Sequence, residues 1–465
     1  MKILSKIDYR HVLWLLLISF IVLIGEIGLG VAATLSPVIG FLILFSLIVG
    51  VATLINPDLG LTILILVLPF SAQFTLDLSS QYAISMVSCQ IIFLMFIKLI
   101  SLSINKEDKL CKSNIDIPLA VFFIWCIMTL FWVTNLSLAL LHLFSIFSAF
   151  ALVYVMINSV HSDKTFDRLL WSWWLMAILM GMIGFLQFAG LKIGTLQEET
   201  RVAGFSGIGN EFARLMMVSA FMLMGFYRSR EKGDKYKLLL LIGIVMTITN
   251  MLFALSRTSL IGAFFGLFLF STRGKDKKFS ILGVIVMMIV FTVLLGIASN
   301  LSEVISERVQ SIANFTQDYS WQSRLVIWTI CFKLFFQSPV FGVGLGGIED
   351  MFFNYDYLLM DSQKILGLPP NSHSLYLDVL VHFGIIGFVI FAWLLIKLIL
   401  VLKKAQHDFG FTKYGEILWG INCGLIAVAI QSMIASVLHT FNLWIFIGLA
   451  LVTVQMGYKF IEKKE

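Results

Sequence analysis

The chain has 465 residues, of which 59% are hydrophobic and only 13% charged, with a mean hydropathy of +0.96 and a formal net charge of +6. Soluble domains carry about 25% charged residues, so a water-soluble globular protein is excluded and a polytopic membrane protein is expected. Five cysteines, Cys89, Cys111, Cys126, Cys331 and Cys423, show no C-x-x-C spacing. They read as packing residues, with neither a disulfide framework nor a metal site implied.

The first 33 residues share features with a signal peptide: Lys2, Lys6 and Arg10, an apolar run, then "GVAA". Another apolar run follows within a few residues, so the first is read as a span. Apolar runs of roughly 20 residues fall near 12–33, 37–55, 59–72, 82–103, 116–133, 137–158, 169–190 and 210–227. They continue near 238–254, 257–271, 279–299, 373–402, 415–433 and 439–458. The expected fold is therefore an all-α polytopic membrane protein of about 12–14 transmembrane helices, since the third run is short and the first three crowd together. Three parts follow: N-terminal spans over 1–299, a large loop over 300–372 and C-terminal spans over 373–465. Glycines such as Gly181 and Gly184 would let helices approach closely. No internal repeat is visible.

Lysine sets the orientation. The links "SINKEDKLCK", "HSDKTFDR", "YRSREKGDKYK", "STRGKDKK" and "VLKKAQHDFGFTK", with both termini, alternate with nearly uncharged links. The positive-inside rule places them in the cytoplasm, leaving only Lys192, Lys333 and Lys364 opposite. Both termini are then expected inside, and the 300–372 loop outside.

Arginine is distributed differently. Arg201, Arg214, Arg257, Arg308 and Arg324, half of the ten, fall on the outer side or just within a span there. An interfacial arginine is costly without a partner, and its planar fork matches phosphate geometry. The set reads as an anion site, and for a membrane enzyme the natural anion is a lipid (di)phosphate. The alternative is local pairing: Glu198 or Glu199 for Arg201, and Glu303 for Arg308.

In "TRVAGFSGIGNEFARLMM" (200–217), Asn210 can cap a helix, and Arg214 lies one turn later on the same face. In "ALSRTSL" (254–260), Arg257 either serves the anion site or snorkels to headgroups. "NLSEVISERVQSI" offers Asn300 and Glu303 as a capping box. The stretch 321–336, with Arg324 and Lys333, is too short and too polar to span and is expected to lie along the membrane surface. Arg324 and Trp328 are four apart on one face there, suited to a sugar-phosphate headgroup or to plain anchoring. "GVGLGG" (342–347) formally matches G-x-G-x-x-G, but no strand precedes it, so a helix stop and tight turn is expected.

Four outer segments, "RVAGFSGIGNEFA", "ALSRTSL", "SRLVIWTICFKLFFQSPVFGVGLGG" and "NSHSLYLDVLVHFGIIGFVIF", occur in that order over roughly residues 200–390. Together they resemble the O-antigen ligase and O-antigen/exopolysaccharide polymerase superfamily. Two positions depart from its pattern. Ser374 stands where Asn usually follows the histidine, and Gly209 where Pro often precedes the Asn.

The resemblance implies a GT-C-like glycosyltransferase in the bacterial cytoplasmic membrane, with its site on the periplasmic or extracellular side. It would take a glycan from undecaprenyl diphosphate and pass it to an acceptor hydroxyl on a glycan or a lipid A core. Membrane lipids are the remaining partners, and no nucleic acid is expected. His373 would be the general base: the macrodipole and nearby arginines would disfavour its imidazolium. Tyr376, Leu377, Leu380, Gly384 and Gly387 would continue its face. Arg201 and Arg324 match the family's arginines, with Arg257 and Arg214 in support. Asn210, Trp328, Tyr376 and His439 are further candidates, and His382 reads as structural. No D-x-D, E-x-D or D-x-E occurs in the chain, so no cofactor and no metal are expected. The rival reading is a flippase for lipid-linked oligosaccharides or another polysaccharide transporter. Transporters place working charges near the bilayer midplane, often in repeated halves, and neither feature is visible here.

Overall fold

The computed structural model describes residues 57–70, 75–79, 82–104, 110–193, 202–273, 319–352 and 371–463. Arg201, Arg308, the Asn300/Glu303 capping box and the expected spans 12–33, 37–55 and 279–299 lie outside them, as does most of the 300–372 loop.

In chain order the helices are α1 (Pro57–Val67), α2 (Met86–Ile104), α3 (Asp116–Met128), α4 (Leu136–Ser159), α5 (Asp163–Phe188), α6 (Gly209–Arg228) and α7 (Tyr236–Phe253). They continue with α8 (Arg257–Ser271), α9 (Tyr319–Gln337), α10 (Gly347–Met351), α11 (Leu375–Phe409), α12 (Lys413–Gln431) and α13 (Phe441–Glu462). Six of them, α4, α5, α7, α11, α12 and α13, are long and apolar enough to cross a membrane. The all-α polytopic class is as expected, with one small departure. A two-stranded antiparallel hairpin, β1 (Thr75–Ser79) and β2 (Tyr82–Ser85), takes the first residues of the run expected at 82–103.

Polar residues at the starts set the helix bounds. Asn135, Ser162, Ser256, Ser374 and Thr412 each cap a helix with a side-chain oxygen that accepts a first-turn N–H, satisfying donors that the helix leaves open. Asn210 does not cap: α6 begins at Gly209 after Ile208, whose side chain has no oxygen to offer.

Helix α12 sits at the centre, packed against α6, α8, α11 and α13. Small residues permit this. A methyl group on Gly225 of α6 would lie 2.7 Å from the Glu416 carbonyl, and one on Gly420 of α12 would lie 2.4 Å from the Phe221 carbonyl. Gly181 and Gly184 do the same for α5, lying against Met246 and Asn250 of α7. Backbone contact of this kind drives helix association where lipid removes the hydrophobic incentive. At the end where α12 begins, Arg228 and Arg273 both bind the buried Glu416, at 2.7 and 3.0 Å.

Helix α11 is broken. Gly384 is non-helical (φ 66°) in the middle of an apolar run that the sequence presents as continuous. The backbone groups freed by the break are taken up by the segment before α10. Val343 and Gly344 N–H donate to the carbonyls of Val381 and His382, both at 2.9 Å. Ile385 and Ile386 N–H donate to Pro339 and Val340, at 2.9 and 3.4 Å. Irregular backbone at membrane depth is tolerated only when protein satisfies it in this way. "GVGLGG" is the tight turn expected of it, with Gly342, Gly344 and Gly346 at φ 77°, 86° and 74°. Its purpose is to lay backbone against the break.

Candidate functional site

His373 does not lie on the helix it precedes. It occupies a left-handed turn (φ 51°) just before the Ser374 cap of α11. This corrects the expectation that Tyr376, Gly384 and Gly387 continue its helical face, because no helical periodicity links them to it. Few non-glycine residues adopt this conformation, and surrounding bonds hold it.

The Ser372 hydroxyl is fully buried, donates to the Ser374 carbonyl at 2.8 Å and accepts from Ser374 N–H at 3.0 Å. Asn371 Oδ1 accepts from His373 N–H at 3.2 Å. The Ser372 carbonyl accepts from Trp328 Nε1 at 3.0 Å. Leu375 N–H is shared between the carbonyls of Ser432 and Ala435, at 3.0 and 3.1 Å. Behind the turn, the buried Asp378 accepts from the Ser436 hydroxyl, with Ser372 beside the same carboxylate. The turn is thus fixed by α9, by the first turn of α11 and by the link between α12 and α13.

Arg324 of α9 is near enough for its charge to act on His373. Burial first, and then this guanidinium, lower the imidazole to about 4, so it is neutral and able to accept a proton across the physiological range. Trp328, one turn after Arg324 on α9, is part of the scaffold, a more specific role than surface anchoring. Tyr376 donates from its hydroxyl to the Ala429 carbonyl of α12 at 3.1 Å.

The other described candidates make contacts of their own. Arg214 is buried in α6, where its Nε donates to Gln431 Oε1 at 3.3 Å. Gln431 in turn donates to the Ser259 hydroxyl at 2.7 Å and the Asn210 carbonyl at 3.4 Å. Among the described residues, Nη1 of Arg214 has no hydrogen-bond partner. Asn210 therefore enters through its backbone, and Arg214 belongs to a helix-to-helix polar junction. Arg257 opens α8 and is half-buried.

His439 joins a group that its position in the sequence did not reveal. Its ring lies 4.6 Å from that of His142, centroid to centroid, and His142 lies 6.5 Å from His382. Glu349 of α10 sits between two of them, with its oxygens 3.7 Å from His142 Nε2 and 3.5 Å from His382 Nε2. Burial alone would raise the Glu349 carboxyl. The hydrogen bond and charge of His382, followed by the charge of His142, overcome this and hold it well below the usual carboxylate range. Burial, and then His142 and His382, push His439 well below the usual imidazole range. His382 Nδ1 donates to the Asp378 carbonyl at 2.9 Å, which connects this group to the helix behind His373. Among the described residues, no group of three or more His, Cys, Asp and Glu side chains is arranged to hold a metal. Sequence offered one signal for the group, since His142, Asp378 and His382 are ionisable residues inside apolar helices, a marker of function in membranes.

A polytopic membrane protein with a histidine and an arginine brought near each other at the start of α11 is the class this geometry defines. Residues 241–392 match the family model described as O-antigen ligase, a match over about a third of the chain that supports the O-antigen ligase superfamily. The match takes in α8, α9 and the His373 turn, and it supports a membrane protein that transfers glycans as a ligase or polymerase. No curated protein matches the chain.

Proposed function

We propose that the protein transfers a glycan from undecaprenyl diphosphate to an acceptor sugar hydroxyl at the outer face of the cytoplasmic membrane, without a metal. The observation that carries this reading is the His373–Arg324 pair: a neutral, half-buried imidazole within reach of a guanidinium's charge. His373 takes the proton from the acceptor hydroxyl as that oxygen forms a bond to the anomeric carbon. The bond from that carbon to the diphosphate oxygen breaks, and the diphosphate leaves with the electron pair. Direct displacement of this kind inverts the anomeric centre. Arg324, with Arg201 and Arg257, meets the charge growing on the leaving diphosphate, where fixed cations act most strongly. Arg214, bonded to Gln431 beside the Ser432 carbonyl that accepts from Leu375 N–H, stands in support.

The break in α11 bears on the transporter reading, because transporters use broken helices to present free helix ends to cargo. Here the groups released at Gly384 are bonded to residues 339–344, which favours a scaffold over a cargo site. We favour polymerase over ligase, with a second lipid-linked repeat as acceptor. Purified protein is incubated with undecaprenyl-diphosphate oligosaccharide alone, with and without His373→Ala. Products longer than the input, absent in the variant, support polymerase. Transfer only after lipid A core is added indicates a ligase. Transport of the lipid across proteoliposomes without any transfer would overturn both.

A further inference from the structure

Towards the opposite end of α11 from His373, two adjoining cavities of about 410 and 830 Å³ share Lys112, Ser113, Asn114, Val401 and Lys404 as walls. Lys459 of α13 lines one of them, and Lys397 of α11 the other. Four ammonium groups from three separate stretches of chain thus surround one groove, a concentration that lysines scattered through cytoplasmic links for topology would not produce. None of the four is ion-paired with a described carboxylate, and the charge of Lys404 acts on Asp408 at longer range. Among the described residues that line the groove, the acids are Glu462 and Asp116. Asp116 is committed elsewhere, accepting from Ser113 N–H at 2.7 Å and from the Tyr154 hydroxyl at 3.2 Å.

The groove also has an apolar rim. Ile117 and Leu400 line it and are 70% and 55% exposed, and Ile396 and Ile399 on the same helix are 55% and 60% exposed. Free phosphate has no use for such a wall, whereas a phosphate carrying acyl chains does.

We infer that this groove binds an anionic phospholipid, with its phosphate among Lys112, Lys397, Lys404 and Lys459 and its chains along the Ile396–Leu400 face. Ser113 and Asn114 add neutral donors to the headgroup. The groove is separate from the glycan-transfer site and does not depend on that assignment. It gives the protein a fixed lipid at the face where lysine density is highest, where anionic headgroups attract basic side chains.

The test is native mass spectrometry of the full chain in mild detergent, titrated with phosphatidylglycerol, phosphatidylcholine or inorganic phosphate. Phosphatidylglycerol is expected to be retained in preference to phosphatidylcholine. In a Lys112→Gln/Lys404→Gln variant its apparent affinity falls roughly 30-fold, the loss of two surface lysines. The control, Lys403→Gln/Lys463→Gln, removes the same net charge outside the groove and leaves retention unchanged. Equal retention of both lipids, an equal loss in the control, or full displacement of the lipid by inorganic phosphate would each overturn the inference. Thermal unfolding of both variants shows that the fold is intact.

Discussion

Trp328 donates its indole N–H to the carbonyl of Ser372, 44 residues later in the chain, at 3.0 Å. That carbonyl belongs to the residue just before His373, so α9, which also carries Arg324, is fixed directly to the turn that holds the histidine. Trp328→Phe keeps the aromatic contact with Trp321 and removes only the donor. The expected cost is on the order of 1 kcal/mol in stability. Turnover should fall more steeply, by roughly tenfold to a hundredfold, because small misplacements of a reacting group are costly. KM for the lipid donor should change little. Steady-state kinetics on the purified variant would check this, and a loss confined to KM would place Trp328 in donor binding instead.

Asp378 fixes the same turn from behind. Its carboxylate accepts from Ser436 and lies beside Ser372, and its own carbonyl accepts from His382 Nδ1. Asp378→Ala leaves Ser436 and Ser372 without this acceptor in a buried setting, so a stability loss of about 1–3 kcal/mol is expected, together with a fall in turnover. Ser436→Ala removes one bond and leaves the carboxylate in place, so its effect should be in the same direction and smaller. If Ser436→Ala were the more damaging of the two, Asp378 would not be the centre of the arrangement.

Much of the bundle was legible because apolar length is a coarse and reliable signal. The runs at 137–158 and 238–254 correspond to α4 and α7 within two residues at each end. Arg324 and His373 were singled out through the resemblance, and the effect of the Arg324 charge on His373 needed the structure to place α9 against the turn. The left-handed turn at His373 was not, since it depends on partners in α9 and in the link between α12 and α13, far away in sequence. The burial of Arg214 likewise needed Gln431, more than 200 residues on. "VHFGIIGF" reads as unbroken helix, and only the bonds from residues 339–344 reveal the break.

That break gives a prediction from backbone geometry. Gly384 has φ 66°, and a methyl group there would lie 2.2 Å from the Val340 carbonyl oxygen. Gly384→Ala must therefore adopt a backbone (φ 66°, ψ −169°) that is essentially confined to glycine and costs about 1–3 kcal/mol for an L-residue, while displacing a bonded segment of main chain. The unfolding temperature in detergent should fall markedly. Gly410→Ala, also at positive φ (53°) but with open space around it, should lose only the conformational part. Equal losses at the two positions would mean that contact with the Val340 segment contributes nothing.

The last prediction concerns pH. His373 is held at about 4, against an ordinary value near 6.5, first by burial and then by Arg324. Below pH 6.5 the unfolded chain binds this proton more readily than the folded one, so the stability tied to a neutral His373 is present above 6.5 and is lost as pH falls through about 4. Catalysis by the free base should follow the folded value. The acid limb of kcat/KM should lie near pH 4, well below the limb of an ordinary imidazole. Arg324→Gln removes one of the two causes, so the limb should move up towards 6.5 while burial keeps it from arriving there. The same variant should weaken use of the diphosphate donor at every pH. A pH–rate profile of the wild type and of Arg324→Gln separates these effects. An unmoved limb with lower activity throughout would make Arg324 a donor contact that does not tune the histidine.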